Sequence, residues 1–341
     1  ELSFLPRFLK GCRAVRFFLV VVFVLVVGAA AVAYGWLNGP LEQTTDTVDL
    51  SIEPGSNGRE IAQSVADAGI AVHPDLLYLW FRVSGQSRQI KAGSYEIDRG
   101  TTPQSLLRKL VRGEEALRSV TLVEGWTFRQ VRDALRKADS LKPDSQALSA
   151  DDTMGRLGRA GVTAEGRFFP DTYTYSKGSS DLAVLQRAMR AMDKRLDAVW
   201  SQRDPQTPLK SPGELLTLAS IVEKETGAPA DRAEIAAVFT NRLRIGMRLQ
   251  TDPTVIYGMG PAFDGNLRKK DLQTDTPWNT YTRDGLPPTP IAIPGKAALL
   301  AAARPATSKA LYFVARGDGT SQFSTSLDAH NRAVNTYQRG Q

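Results

Sequence analysis

The chain has 341 residues, one cysteine and two histidines, with 43 basic against 36 acidic side chains and a net charge of +7. That length can build two or three domains with sizeable cores. A lone Cys12 excludes an internal disulfide, and the scarcity of cysteine and histidine argues against a zinc site or a Cys–His nucleophile pair, so no metal or cofactor is expected.

Arg7, Lys10, Arg13 and Arg16 precede the first apolar run. Without them and Glu1, 39 basic and 35 acidic residues remain. That excess is weak evidence for nucleic acid and suits an anionic envelope polymer equally well, and no nucleic-acid partner is expected. Residues 17–36, "FFLVVVFVLVVGAAAVAYGW", carry no charge. Twenty residues at 1.5 Å rise span a hydrocarbon layer of ~30 Å, so a single transmembrane helix is predicted. Basic residues before it, and Glu42, Asp46 and Asp49 after it, predict a short cytoplasmic N-terminus (1–16) and an exported remainder. "AVA" at 31–33 fits a signal cleavage site, but the run exceeds a normal signal core, which favours a retained anchor.

Residues 37–46 read as a polar linker. "VDLSI" is a predicted strand, followed by the turn "EPGSNG" and a helix with Ile61, Val65 and Ala68 in register. "PDLLYLWFRVSG" predicts a second helix with Leu76, Leu77, Trp80 and Phe81 on its apolar side, and "AGSYEID" a returning strand. Strand, two helices and strand over 47–98 resemble a LysM-like module, a type associated with peptidoglycan binding. The alternative is a small packing domain. Residues 50–68 and 120–138 echo one another as strand, glycine turn and helix. Between them, Thr102 is a predicted N-cap, Pro103 a first helical residue and Gly113 a stop. Residues 99–165 connect this module to the rest, with 142–161 polar and interrupted. A further helix is predicted over 181–200.

"LLTLASIVEKETG", 215–227, sits in a helix that Ser211, Pro212 and Glu214 can start and Gly227 can stop. At 100° per residue Leu215, Leu218, Ala219 and Val222 form its apolar face. Glu225 falls beside Leu218 and Ile221, while Glu223 lies at the border and Lys224 opposite. Desolvation and the negative end of the helix dipole both favour a protonated Glu225, the state a general acid needs. A surface salt-bridge role is the ordinary alternative for such a residue. Residues 231–246 predict a helix with a D-x-x-E start and a glycine end, its core stripe Ile235, Val238, Phe239 and Leu243. The loops around Gln250, Thr251 and Asp252, and around Asn279, Thr280 and Tyr281 with four prolines, are dense in amides, hydroxyls and rings. Such surfaces suit sugars. "ALYFVARGDG" predicts a strand and turn.

"GRFFPDTYTY", "ASIVEKETG", "VFTNRLRIGMRLQTDPTVIYGMG", "NTYTRDGLPPTPIAIPG", "LYFVARGDG" and "AHNRAVNTY" closely resemble the membrane-bound endolytic murein transglycosylase family (MltG, also called YceG-like). The resemblance covers essentially the exported region and is strongest from 166 to 337. It implies an inner-membrane, single-pass enzyme with a periplasmic catalytic domain at 166–341. Such an enzyme cuts glycan strands of peptidoglycan internally at the MurNAc–GlcNAc bond, leaves 1,6-anhydro ends and limits strand length. The family's essential glutamate matches Glu225. The surrounding motif positions make Gln250, Asp252, Tyr257, Asn279, Tyr281 and Asn331 cleft candidates. Association with peptidoglycan synthases is suggested by the family alone. The expected architecture is α+β: a transmembrane helix, a LysM-like module and a larger α+β catalytic domain. A hydrolase using Glu223 or Asp252 to position water, and a non-catalytic peptidoglycan-binding scaffold, are the competing functions.

Overall fold

The computed structural model describes residues 7–225 and 228–338. Gly227, the expected helix stop, lies outside the described residues, as do the side chains of Arg7, Lys10, Cys12 and Arg13. The fold is α+β, with helices and four two-stranded sheets among the described residues. Helix α1 spans Arg7–Asn38. Its stretch Val15–Asn38 is long and apolar enough to cross a membrane. Phe17 through Val27 are exposed along it, an apolar surface that none of the other described residues covers.

The chain forms two compact units, Glu1–Leu117 and Arg118–Gln341. In the first, β1 (Glu42–Gln43) pairs with β3 (Ile70–Ala71), and β2 (Thr47–Ile52) pairs antiparallel with β4 (Gly93–Asp98). Alternation along β2 buries Val48, Leu50 and Ile52 and leaves Thr47, Asp49 and Ser51 exposed, the period-two pattern of a one-sided sheet. Between these strands lie α2 (Gly58–Asp67) and α3 (Pro74–Val83). Asn57 and Glu60 form a capping box at the start of α2, which buries Ile61, Ala62 and Val65. Helix α3 buries Leu77 and Phe81, one turn apart. Leu76, expected on the same side, is instead exposed. Helix α4 (Pro103–Arg112) starts and stops as the sequence predicts, with Thr102 capping and Gly113 left-handed at φ +71°.

The second unit begins with β5 (Leu117–Thr121), α5 (Phe128–Lys137), the short α6 (Ala150–Arg156), β6 (Thr172–Ser176) and α7 (Asp181–Ser201). The strand–turn–helix echo is real in outline: α5 opens with a Thr127–Gln130 capping box, as α2 does with Asn57 and Glu60. β5 pairs with β6. Val120, Phe128, Val131, Phe168, Tyr175, Val184 and Met189 share one core cluster.

Around α8 (Pro212–Glu225) a second core gathers α7, α9 (Arg232–Arg244), α10 (Asp252–Met259) and α12 (Lys296–Ala303), with α11 (Lys269–Gln273) in the loop before α12. All eight residues from Leu215 to Val222 are buried. The helix is therefore central and buried all round rather than amphipathic with one apolar face, and its polar members are satisfied internally. Thr217 donates to the Gly213 carbonyl and Ser220 to the Thr217 carbonyl, and Ser220 also accepts the Ile291 N–H at 3.0 Å. Truncating a leucine here, such as Leu218→Ala, should cost ~2–5 kcal/mol. The expected cap forms in a variant way: Ser211 accepts the Glu214 N–H, while Glu214 turns back to the Lys210 N–H at 2.7 Å. At α9 the expected D-x-x-E start does not cap: Asp231 is itself in the right-handed helical region and makes no capping bond among the described residues. The hairpin β7 (Tyr312–Ala315) and β8 (Ser321–Ser324), then α13 (Leu327–Gln338), close the unit.

Candidate active site

Glu225 is the last residue of α8. Its position follows from the all-round burial of that helix, which fixes the axis and delivers the final side chain into a partly buried setting. Burial raises its pKa above the ordinary carboxyl value, and the nearby Asp252 carboxylate adds to the rise. A hydrogen bond from Thr251 and the positive charge of Arg242 act the other way. Burial is the largest cause, so the setting favours the proton-bearing form more than water does for an ordinary carboxyl.

The donor comes from the segment between α9 and α10. Helix α9 ends where Gly246 adopts φ +68°, with the Met247 N–H bonded to the Arg242 carbonyl. The buried Arg242 guanidinium then acts as a clamp, donating to the carbonyls of Leu249 at 2.6 Å and Leu311 at 2.7 Å. Gln250 carries a left-handed φ of +46°, unusual for a residue with a side chain, and its N–H bonds to the Thr280 carbonyl. The Thr251 N–H bonds to the Thr280 hydroxyl at 3.1 Å, and Thr254 ties both threonines together. That lattice aims the Thr251 hydroxyl at Oε1 of Glu225. Next along the chain, Oδ1 of Asp252 accepts the Tyr281 hydroxyl at 2.6 Å. Burial and these two carboxylates raise the Tyr281 pKa.

The structure therefore brings Glu225, Asp252 and Tyr281 together, with Gln250 exposed at the strained turn beside them. Asn279 is fully buried. Its amide donates to the carbonyls of Leu272 and Thr274 and accepts the Tyr281 N–H, so it braces the loop that presents Tyr281. Asn331 is exposed on α13, next to His330, whose ring stacks on Tyr312. Glu223 is committed elsewhere: its Oε2 accepts the Gly295 N–H at 2.8 Å. Burial raises its pKa too, so polarity on the helix wheel does not separate the two glutamates; their partners do.

A groove of about 1090 Å³ runs along α10. Pro253, Ile256 and Tyr257 line it at the i, i+3, i+4 spacing of a single helix face, with Gly260 just past the helix end. Lys224, Arg129, Phe263 and Trp278 complete much of its wall. Tyr257 meets Trp278 edge-on at 5.4 Å between ring centroids, and the Trp278 indole donates to Thr289. A smaller hollow of about 530 Å³ lies by Gly213 and Glu214, at the opposite end of α8 from Glu225. The larger groove also contains Glu165, a residue the sequence motifs do not single out. Burial pushes its pKa up to about 7 against hydrogen bonds from Phe128, Tyr257 and Gly166. The one signal available was a carboxylate at the start of the apolar stretch "EGRFF". Thr251 was likewise visible only as a member of a polar trio.

The YceG-like family matches residues 50–336. A protein of Bacillus subtilis (strain 168) named endolytic murein transglycosylase is 31% identical over 92% of this chain and 91% of its own length. One of Streptococcus pneumoniae serotype 2 with the same name is 28% identical over 84% of this chain, which spans only 58% of that longer protein. A crystal structure of a YceG-like protein from Listeria monocytogenes matches with a TM-score of 0.54 and 28% identity, covering 84% of this chain and 98% of that one. The breadth of these matches, running through both compact units, leaves one assignment: the chain belongs to the YceG-like family.

Proposed function

We propose that this protein is an endolytic murein transglycosylase, cleaving peptidoglycan glycan strands internally with Glu225 as its acid and base. The relatives' name supports the reaction class. The observation that carries the assignment is a partly buried carboxyl with a raised pKa, held by Thr251; Lys224, next to Glu225 in sequence, and Pro253, close after Thr251, line a groove with an aromatic wall. Protonated Glu225 gives its hydrogen to the glycosidic oxygen as the C1–O bond of N-acetylmuramic acid breaks and the N-acetylglucosamine hydroxyl departs. The resulting carboxylate takes the hydrogen of the same muramic residue's C6 hydroxyl, whose oxygen bonds to C1. The product is a 1,6-anhydro sugar, and Glu225 ends as it began. A nucleophile within the substrate supplies proximity without a positioned water, so one tuned carboxyl suffices where a hydrolase uses two. Asp252 and Tyr281 are placed to hold the substrate or the site's electrostatics, and Gln250 and Asn331 offer exposed amides to sugar hydroxyls.

In this reading α1 is a single-pass inner-membrane anchor with residues 1–16 in the cytoplasm, and the catalytic motifs of 166–341 act in the periplasm within the unit Arg118–Gln341. The strand–helix–helix–strand order of 47–98, with β2 paired to β4, supports a LysM-like peptidoglycan-binding module. Tethering to the membrane suits an enzyme that trims nascent strands and limits their length, in company with the synthases that make them. The test is the mass of fragments released from purified peptidoglycan: transglycosylation gives ends one water lighter than the reducing ends of hydrolysis, and a scaffold releases nothing.

A further inference from the structure

The groove along α10 holds a second buried carboxyl that the acid–base step leaves unused. Glu165 is 7% exposed. Its Oε1 accepts the Phe128 N–H at 2.9 Å and its Oε2 accepts the Tyr257 hydroxyl at 3.0 Å. Phe128 is the first residue of α5, so the carboxyl also meets the positive end of that helix. Capping alone does not account for it, since the Thr127–Gln130 box already caps α5. The second oxygen is spent on a tyrosine of the groove wall. That tyrosine packs on Trp278, and Trp278 is fixed in turn by Thr289. Separate segments of the chain thus lock one aromatic corner. Asp252, whose carboxylate acts on Glu225, and Tyr257 both lie on α10, five residues or about 7.5 Å apart along the helix axis. Arg129 and Asp133 of α5, Lys224 of α8 and Tyr257 of α10 are the charged or titratable groups that line the groove with Glu165.

We propose that Glu165 is a positioning residue that holds the Tyr257 hydroxyl and thereby fixes the Tyr257–Trp278 corner as a sugar-stacking subsite for the strand that Glu225 cleaves. The proposal rests on the assignment of Glu225. Flat apolar sugar faces pack on aromatic rings, and a ring held by a hydrogen bond at its tip loses less freedom when substrate arrives. A glutamine at 165 presents an oxygen at one of the two places and an NH2 at the other. Once the oxygen serves the Phe128 N–H, which can only donate, the Tyr257 hydroxyl has no acceptor there and its bond as donor is lost.

Steady-state kinetics on soluble peptidoglycan strands decides it, with wild type, Glu165→Gln, Tyr257→Phe, the double variant and Glu225→Gln compared. Each of the first two variants should raise KM roughly tenfold with kcat held within about threefold, and the double variant should raise KM no further, because the two residues act as one unit. A fall in kcat at unchanged KM, or KM effects that multiply in the double variant, would overturn the proposal. Should Glu165→Gln not fold, Tyr257→Phe decides alone, since it removes only a hydroxyl from a partly exposed side chain; an unchanged KM there rejects the subsite. Turnover retained by Glu225→Gln would sink the assignment beneath it, whereas a dead Glu225→Gln with normal KM in the other variants rejects the subsite only.

Discussion

Thr251 donates its hydroxyl to Oε1 of Glu225, joining the start of α10 to the end of α8 across 26 residues of sequence. The bond favours the ionised carboxyl, while burial and the neighbouring Asp252 favour the protonated one. The acid therefore sits between opposing influences, and each can be removed separately.

Thr251→Val deletes the influence that lowers the Glu225 pKa, and Asp252→Asn deletes one that raises it. Activity needs the protonated form first, so it is lost as pH rises through that pKa. The alkaline limb of the kcat/KM profile should move to higher pH in Thr251→Val and to lower pH in Asp252→Asn. Thr251→Val should also lose roughly tenfold in kcat from poorer orientation, or ~1.4 kcal/mol. Limbs that move the same way would contradict the placement of the two groups.

Asn279 is buried and braces its own loop. Its buried amide serves carbonyls and an N–H on both sides of the loop that carries Tyr281. Asn279→Ala strands these groups and should cost ~2–4 kcal/mol in denaturant unfolding of the second unit. A variant with unchanged stability but a raised KM would return Asn279 to the cleft.

Glu165 makes stability depend on pH in an unusual direction for a carboxyl. Its pKa is raised to about 7 in the folded protein from 4.5. Between those values the native state holds the proton and the unfolded state does not, so stability falls as pH rises. The contribution is complete below about pH 4.5 and lost as pH passes 7, at most ~3 kcal/mol. Melting temperatures across that range should decline more steeply for wild type than for Glu165→Gln.

Much of the frame was legible because it is local. Capping at Thr102 and Ser211, the glycine stops at 113 and 246, and the alternation of β2 are written within a few residues of where they act. So is the apolar setting of Glu225, although helical spacing assigns a single apolar face to a helix whose residues 215–222 are all buried. That burial comes from α7, α9, α10 and α12, which local periodicity cannot see. Glu165 was missed for the same reason: its partners lie 37 and 92 residues away. The inward turn of Asn279 is not legible either, because an amide in a polar loop can face outward or inward and the loop's carbonyls, which need donors, draw it in.

The most direct measurement is the digestion of purified peptidoglycan by wild type and by Glu225→Gln, with released fragments read by mass. Wild type should yield internal fragments ending in 1,6-anhydromuramic acid, and Glu225→Gln, folded with an unchanged or higher melting temperature, should release none. Anhydro-ended products from Glu225→Gln, or reducing ends from wild type, would contradict the account.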